Sequence, residues 1–167
     1  METETQQDRV LAVFDCMVFL QGAARRESPS GLCLALAEQG IVELCVSREI
    51  LAEVSDVLGR PRLRAKFPAL TDQVVAEFTA SICSIATLFE DVPREFALER
   101  DPKDEPYLNL ACRAGAAYLV SRDTDLLDLG NAAEGVGPLI RQRHPHLTIV
   151  DPIAFLLAVR THQAGHP

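Results

Sequence analysis

The chain has 167 residues, a formal net charge of −8, 48% hydrophobic residues and 24% charged residues. That size and balance suit one soluble domain with its own core, and they argue against extended disorder. The acidic excess argues against broad nonspecific attraction to nucleic acid, although bound cations can reverse the sign of a local site.

No apolar run reaches the length that spans a membrane, and none has the form of a secretory leader. A cytoplasmic location away from membranes is therefore expected. Five cysteines stand at positions 16, 33, 45, 83 and 112, with no Cys-x-x-Cys pair. Cys33, Cys45 and Cys83 sit inside apolar segments, so buried free thiols in a reducing compartment explain them best. No two cysteines are close enough in sequence to form a zinc knuckle, which argues against a structural zinc site.

Residues 1–8 are polar and unpatterned and read as a flexible tail. Val10–Phe14 is a continuous apolar run and predicts a buried strand. Residues 31–39 predict a helix, opened by Ser30 and closed by Gly40. Val42, Leu44 and Val46 alternate along a second strand. Ser47 then caps a helix carrying Ile50, Val54, Val57 and Leu58 on one stripe.

Residues 59–68 hold two prolines and four basic residues, which predicts a connection or a short, broken helix. The basic run there (Arg60, Arg62, Arg64, Lys66) reads as a solvated turn before it reads as a contact for RNA backbone. Thr71 opens a helix with Val74, Val75, Phe78, Ile82 and Ile85 at helical spacing. Residues 86–89 predict a third strand. Glu105–Ala114 predicts a helix closed by Gly115, and residues 117–121 a strand.

Residues 130–146 read as one long irregular stretch. Residues 147–150 predict the last strand. Asp151 and Pro152 open a closing helix over 153–159, and residues 161–167 read as a second tail. Strands alternate with helices without a hairpin signature, which predicts a mostly parallel α/β sheet covered on both faces. One domain over residues 9–160 is expected. Such sheets carry their sites beyond the carboxyl ends of the strands.

Several acids fall where that site should be. Asp15 closes the first strand. Glu53 has Ile50 three residues before it and Val57 four after, so it shares their apolar face. Asp104 begins a helix above the stripe of Leu108 and Ala111. Asp123 and Asp125 follow the strand at 117–121. Each alone has a plainer reading as a cap, a turn or an ion pair. Together, four elements deliver acids to one end of one sheet. Hard cations such as Mg2+ or Mn2+ take oxygen ligands of this kind, and crowded carboxylates are unstable without them.

In this order, the motifs resemble the PIN-domain ribonuclease family, most closely its branch of toxin components from toxin–antitoxin systems. The opening strand runs into Asp15-Cys16-Met17. A Ser-initiated helix reads Ser47-Arg48-Glu49-Ile50-Leu51-Ala52-Glu53. Asp101-Pro102-Lys103-Asp104-Glu105 precedes a helix ending in Ala114-Gly115-Ala116. Tyr118-Leu119-Val120-Ser121-Arg122-Asp123-Thr124-Asp125-Leu126-Leu127 and Pro152-Ile153-Ala154-Phe155-Leu156 complete the set.

The resemblance implies a Rossmann-like three-layer α/β/α sandwich with a five-stranded, mostly parallel sheet. It implies Mg2+- or Mn2+-dependent hydrolysis of single-stranded RNA by an endoribonuclease, with an antitoxin protein and a second copy of the chain as potential partners. Asp15, Asp104 and Asp123 would be metal ligands, and Asp125 would assist. Glu53 would hold or activate a water. Ser121 would support the ligands through its hydroxyl.

Cys16 and Met17 stand where the family carries a hydroxyl and a carboxamide. A thiol is a weak donor and a thioether donates nothing. Weakened metal binding and slow cleavage are therefore expected, with a protein- or RNA-binding module as the alternative. A phosphoacceptor domain lacks its expected lysine. A Cys16 nucleophile lacks a nearby base, because no histidine precedes His144.

Overall fold

A computed structural model describes residues 9–165. The tail expected at 1–8 and the last two residues of the one expected at 161–167 lie outside the described residues. Five short strands form one all-parallel sheet: β1 (Val10–Phe14), β2 (Val42–Ser47), β3 (Thr87–Phe89), β4 (Tyr118–Val120) and β5 (Thr148–Val150). Their spatial order is β3-β2-β1-β4-β5. The expected three-layer α/β/α architecture holds.

β1 is flanked on both sides, with Ala12 opposite Leu44 of β2 and opposite Tyr118 of β4. A strand buried on both faces needs apolar residues at successive positions rather than at alternate ones. Ala12, Val13 and Phe14 are accordingly all inaccessible to solvent.

Helices α1 (Cys16–Ala24) and α2 (Pro29–Glu38) connect β1 to β2. No helical signal in the sequence predicts α1. The expected opening of α2 is Ser30, whereas Ser28 is the cap: its Oγ accepts from Gly31 N at 3.2 Å. α3 (Arg48–Leu58) is capped as expected, with Ser47 Oγ accepting from Ile50 N at 3.1 Å.

The basic stretch forms a short helix, α4 (Pro61–Lys66), and α5 (Asp72–Ile85) follows. Arg60 pairs with Asp56 and Arg64 with Asp72, so part of the positive charge there is already neutralised within the chain. Cys83 on α5 is exposed, which corrects its reading as a buried thiol; Cys33, Cys45 and Cys112 are buried. An apolar neighbourhood in sequence does not by itself assign a residue to the inner stripe of a helix.

After β3 the chain runs without regular structure to a 3₁₀ turn (Pro102–Asp104) and α6 (Glu105–Ala114), which packs across β1, β2 and β4. Gly115 closes α6 at φ 64°, a left-handed conformation that suits a residue without Cβ. Side chains of α6 fasten the preceding segment. Asn109 accepts from Phe96 N at 2.9 Å and donates to Phe96 O at 3.0 Å. Glu105 accepts from Leu98 N at 2.7 Å and from the Arg94 guanidinium at 2.8 and 3.0 Å.

α7 (Thr124–Leu129) and α8 (Gly137–Arg143) lie between β4 and β5. The stretch at 130–146, read as irregular, thus contains a two-turn helix. The closing helix α9 (Pro152–Ala164) is capped by Asp151 and packs against α2. It continues past Val159, so the chain from Thr161 to Ala164 is helical rather than a loose tail. Among the described residues, no helix is long and apolar enough to cross a membrane.

Candidate active site

The order of the strands determines where a site can form. From β1 the chain crosses toward β2, and from β4 it crosses the opposite way toward β5. The connections therefore diverge at the carboxyl ends of β1 and β4 and leave a crevice between them. Asp15 directly follows β1, and Ser121 and Asp123 follow β4. α6 runs back from the same edge, which brings its first turn and Asp104 to the crevice.

Asp15 is buried and does two jobs at once. Its Oδ1 caps α1 by accepting from Val18 N at 3.0 Å. Its Oδ2 accepts from the Ser121 hydroxyl and, at 3.4 Å, from Arg122 N. Ser121 Oγ in turn accepts from Asp123 N at 2.9 Å. This fully buried hydroxyl thus ties the ends of β1 and β4 together. Burial raises the Asp15 pKa, the three hydrogen bonds oppose that rise, and the Asp123 charge adds to it.

Asp104 makes no capping bond to α6, so its plainer reading as a helix cap is not what the structure shows. It is 9% exposed, and its Oδ2 is buried without a hydrogen-bond partner. Burial, then the charges of Asp123, Asp101 and Asp15, push its pKa up to about 7. Carboxylate oxygens of Asp101, Asp104 and Asp123 lie within 4.8 Å of one another. Asp101 opens the Asp-Pro-Lys-Asp motif, and nothing in its spacing marks it as a ligand. It joins the cluster because the 3₁₀ turn folds it back beside Asp104.

The remaining candidates surround this cluster. Asp125 is exposed at the first turn of α7 and, with Asp101 and Asp104, lines a cleft of about 600 Å³. Apolar residues of that cleft include Leu98, Leu126, Leu129 and Val136. Glu53 does not line that cleft; its Oε2 accepts from the Tyr107 hydroxyl at 2.6 Å. Burial raises the Tyr107 pKa first, and this bond to Glu53 raises it further.

Cys16 is half-buried beside Glu53 and Tyr107. Burial and the Glu53 charge push its thiol up to about 11, so it is neutral at physiological pH. Met17 is 45% exposed. The three hydrogen bonds that orient Asp15 come from Val18, Ser121 and Arg122, and neither Cys16 nor Met17 supplies one. The sequence offered no direct sign of Tyr107 as a partner for Glu53, although its place three residues after Asp104 puts both on one face of α6.

The cluster suits a hard divalent cation. Its donors are all carboxylate oxygens, one of them is buried and unpartnered, and their mutual repulsion is of the kind a cation relieves. Asp101, Asp104 and Asp123 offer a first set of ligands, and Asp15 stands within electrostatic reach of Asp104.

A parallel sheet with carboxylates gathered at its switch point defines the class: a Rossmann-like α/β/α domain of nuclease type. The chain belongs to the PIN-domain family, whose sequence model matches residues 11–125. That span runs from β1 to the start of α7 and includes Asp15, Glu53, Asp101, Asp104, Asp123 and Asp125. No curated protein matches the chain.

Proposed function

We propose that the protein is a metal-dependent endoribonuclease that hydrolyses phosphodiester bonds of single-stranded RNA, in the role of a toxin component of a toxin–antitoxin system. The observation that carries this reading is the convergence of Asp15, Asp101, Asp104 and Asp123 at the carboxyl edge of the sheet. A Mg2+ or Mn2+ ion held there would supply charge neutralisation at the scissile phosphate. Asp104 and Asp123 would hold it with Asp15, Asp101 would complete the set, and Asp125 would assist from the mouth of the cleft.

The chain's own residues supply orientation and proton transfer. Ser121 fixes the Asp15 carboxylate and the backbone of Asp123 in one network. Tyr107 occupies Glu53 Oε2 and leaves Oε1 to take a proton from the attacking water. The water oxygen forms a bond to phosphorus, the bond to the leaving ribose oxygen breaks, and that oxygen is protonated from solvent. Beside the acids, the apolar residues of the cleft offer a place for an unstacked base. A base within a duplex could not enter, which supports single-stranded substrate.

Cleavage of labelled single-stranded RNA, duplex RNA and single-stranded DNA should be compared with Mg2+, with Mn2+ and with chelator. Metal-dependent cleavage of the single-stranded RNA alone, lost in Asp123→Asn, is the expected result. Cleavage that persists in chelator or in Asp123→Asn would overturn the assignment. Growth arrest on expression of the wild type, absent with Asp123→Asn, would support the toxin role. An antitoxin protein as partner, a homodimeric assembly and a cytoplasmic location accompany this reading.

A further inference from the structure

A second group of ligand-type side chains lies at the far end of α6. Cys112 occupies its last turn, eight residues and about 12 Å along the axis from Asp104. Glu95 comes from the segment before the 3₁₀ turn, and His144 follows α8. One ligand atom from each lies within 4.8 Å of the other two. We propose that Glu95, Cys112 and His144 form a zinc site, separate from the carboxylate cluster and independent of the nuclease reading.

The donor set distinguishes this site from the first. Sulfur, imidazole nitrogen and carboxylate oxygen suit borderline-soft Zn2+, whereas an all-carboxylate set suits Mg2+ or Mn2+. Zinc bonds of about 2.0–2.3 Å place tetrahedral ligands about 3.3–3.8 Å apart, so modest side-chain movement would close the group around an ion. As the metal binds, the Cys112 thiol releases its proton to solvent and coordinates as thiolate.

The ligands are also held in place by neighbours. His144 Nε2 lies 2.9 and 3.0 Å from the two Glu95 oxygens, and its ring meets Phe96 edge to face with centroids 6.0 Å apart. Phe96 is fixed by both side-chain bonds from Asn109. Arg143 Nη1 approaches Glu95 Oε1 at 3.8 Å. Glu95 and His144 keep side-chain exposures of 29% and 15%, which gives an ion a route from solvent. The three residues come from three elements distant in sequence, so cysteine spacing could not reveal them.

The test is metal binding by the whole chain, without any activity assay. After chelator treatment and dialysis, the protein should take up Zn2+ stoichiometrically and show a raised melting temperature. Co2+ should produce a thiolate-to-metal charge-transfer band. Cys112→Ala should abolish the band, and His144→Gln should lower Zn2+ affinity at least about 10-fold. Asp104→Asn should retain both properties, because it removes a ligand only from the other cluster. If Cys112→Ala fails to fold, His144→Gln and Glu95→Gln carry the test. No cobalt–thiolate band in the wild type, or wild-type zinc affinity in His144→Gln and Glu95→Gln, would overturn the proposal.

Discussion

Asp104→Asn should stabilise the metal-free protein while reducing its response to metal. The carboxylate has one buried oxygen without a partner and faces three other acids, and its pKa is about 7 against an ordinary 3.8. Ionising such a group in the folded state costs at most about 4 kcal/mol. The adjoining cleft admits water, which reduces the recoverable part to about 1–2 kcal/mol. For a chain of this size, that corresponds to a rise of about 2–8 °C in melting temperature.

The sign depends on pH. A carboxyl whose pKa is raised by folding contributes no penalty below its unfolded pKa. It loses stability as pH rises from about 4 through about 7. The gain from Asp104→Asn should therefore be large near pH 8 and close to nil near pH 4. Asparagine can also donate to the Asp101 carboxylate. Differential scanning fluorimetry at both pH values, in chelator and then with millimolar Mn2+, measures the effect. Manganese should raise the wild-type melting temperature and erase most of the variant's advantage. Equal melting temperatures in chelator near pH 8, or an advantage independent of pH, would refute the view that Asp104 carries an uncompensated charge.

Ser121→Ala should destabilise the fold by about 1–3 kcal/mol in chemical denaturation, because it strips a buried hydroxyl from both Asp15 and the Asp123 backbone. It should also weaken Mn2+ binding about 10- to 100-fold in titration. Cys16→Thr with Met17→Asn should change Mn2+ affinity by less than about 10-fold, since Asp15 is already oriented by other donors; a larger gain would restore those two positions as the cause of weak binding. Tyr107→Phe should retain the fold and lower cleavage more than metal affinity, because it frees Glu53 Oε2 without removing a ligand. Loss of metal binding in that variant would place Glu53 in the cation's own shell.

The parts of the fold legible from sequence were those with a strong local signal. β1 and β2 are buried runs that no other element explains, and Ser47, Thr71 and Asp151 announce their helices because each caps through its own side chain. α1 gave no helical period because Val18, Phe19 and Leu20 are all buried, which leaves no polar face to contrast with an apolar one. α8 was hidden by Gly135, Gly137 and Pro138, which mark a loop in sequence and a helix start in space. Asp15, Asp104 and Asp123 could be proposed because each ends or begins an element. Asp101 reaches the cluster through a turn, which leaves no trace in spacing, and Tyr107 reaches Glu53 across two elements, marked only by its three-residue step from Asp104.

The segment over residues 93–98 borrows its backbone partners from the side chains of Glu105 and Asn109 instead of from a neighbouring strand. A strand ladder couples every residue to a register, so a single insertion displaces the whole run. Two side-chain clasps impose no register. The chain between and beyond them, including Ala97 and Glu99 on the wall of the cleft, is free to lengthen, shorten or change composition while α6 holds Asp104 in place. One wall of the cleft can therefore vary quickly in length and chemistry while the carboxylate cluster beside it stays still.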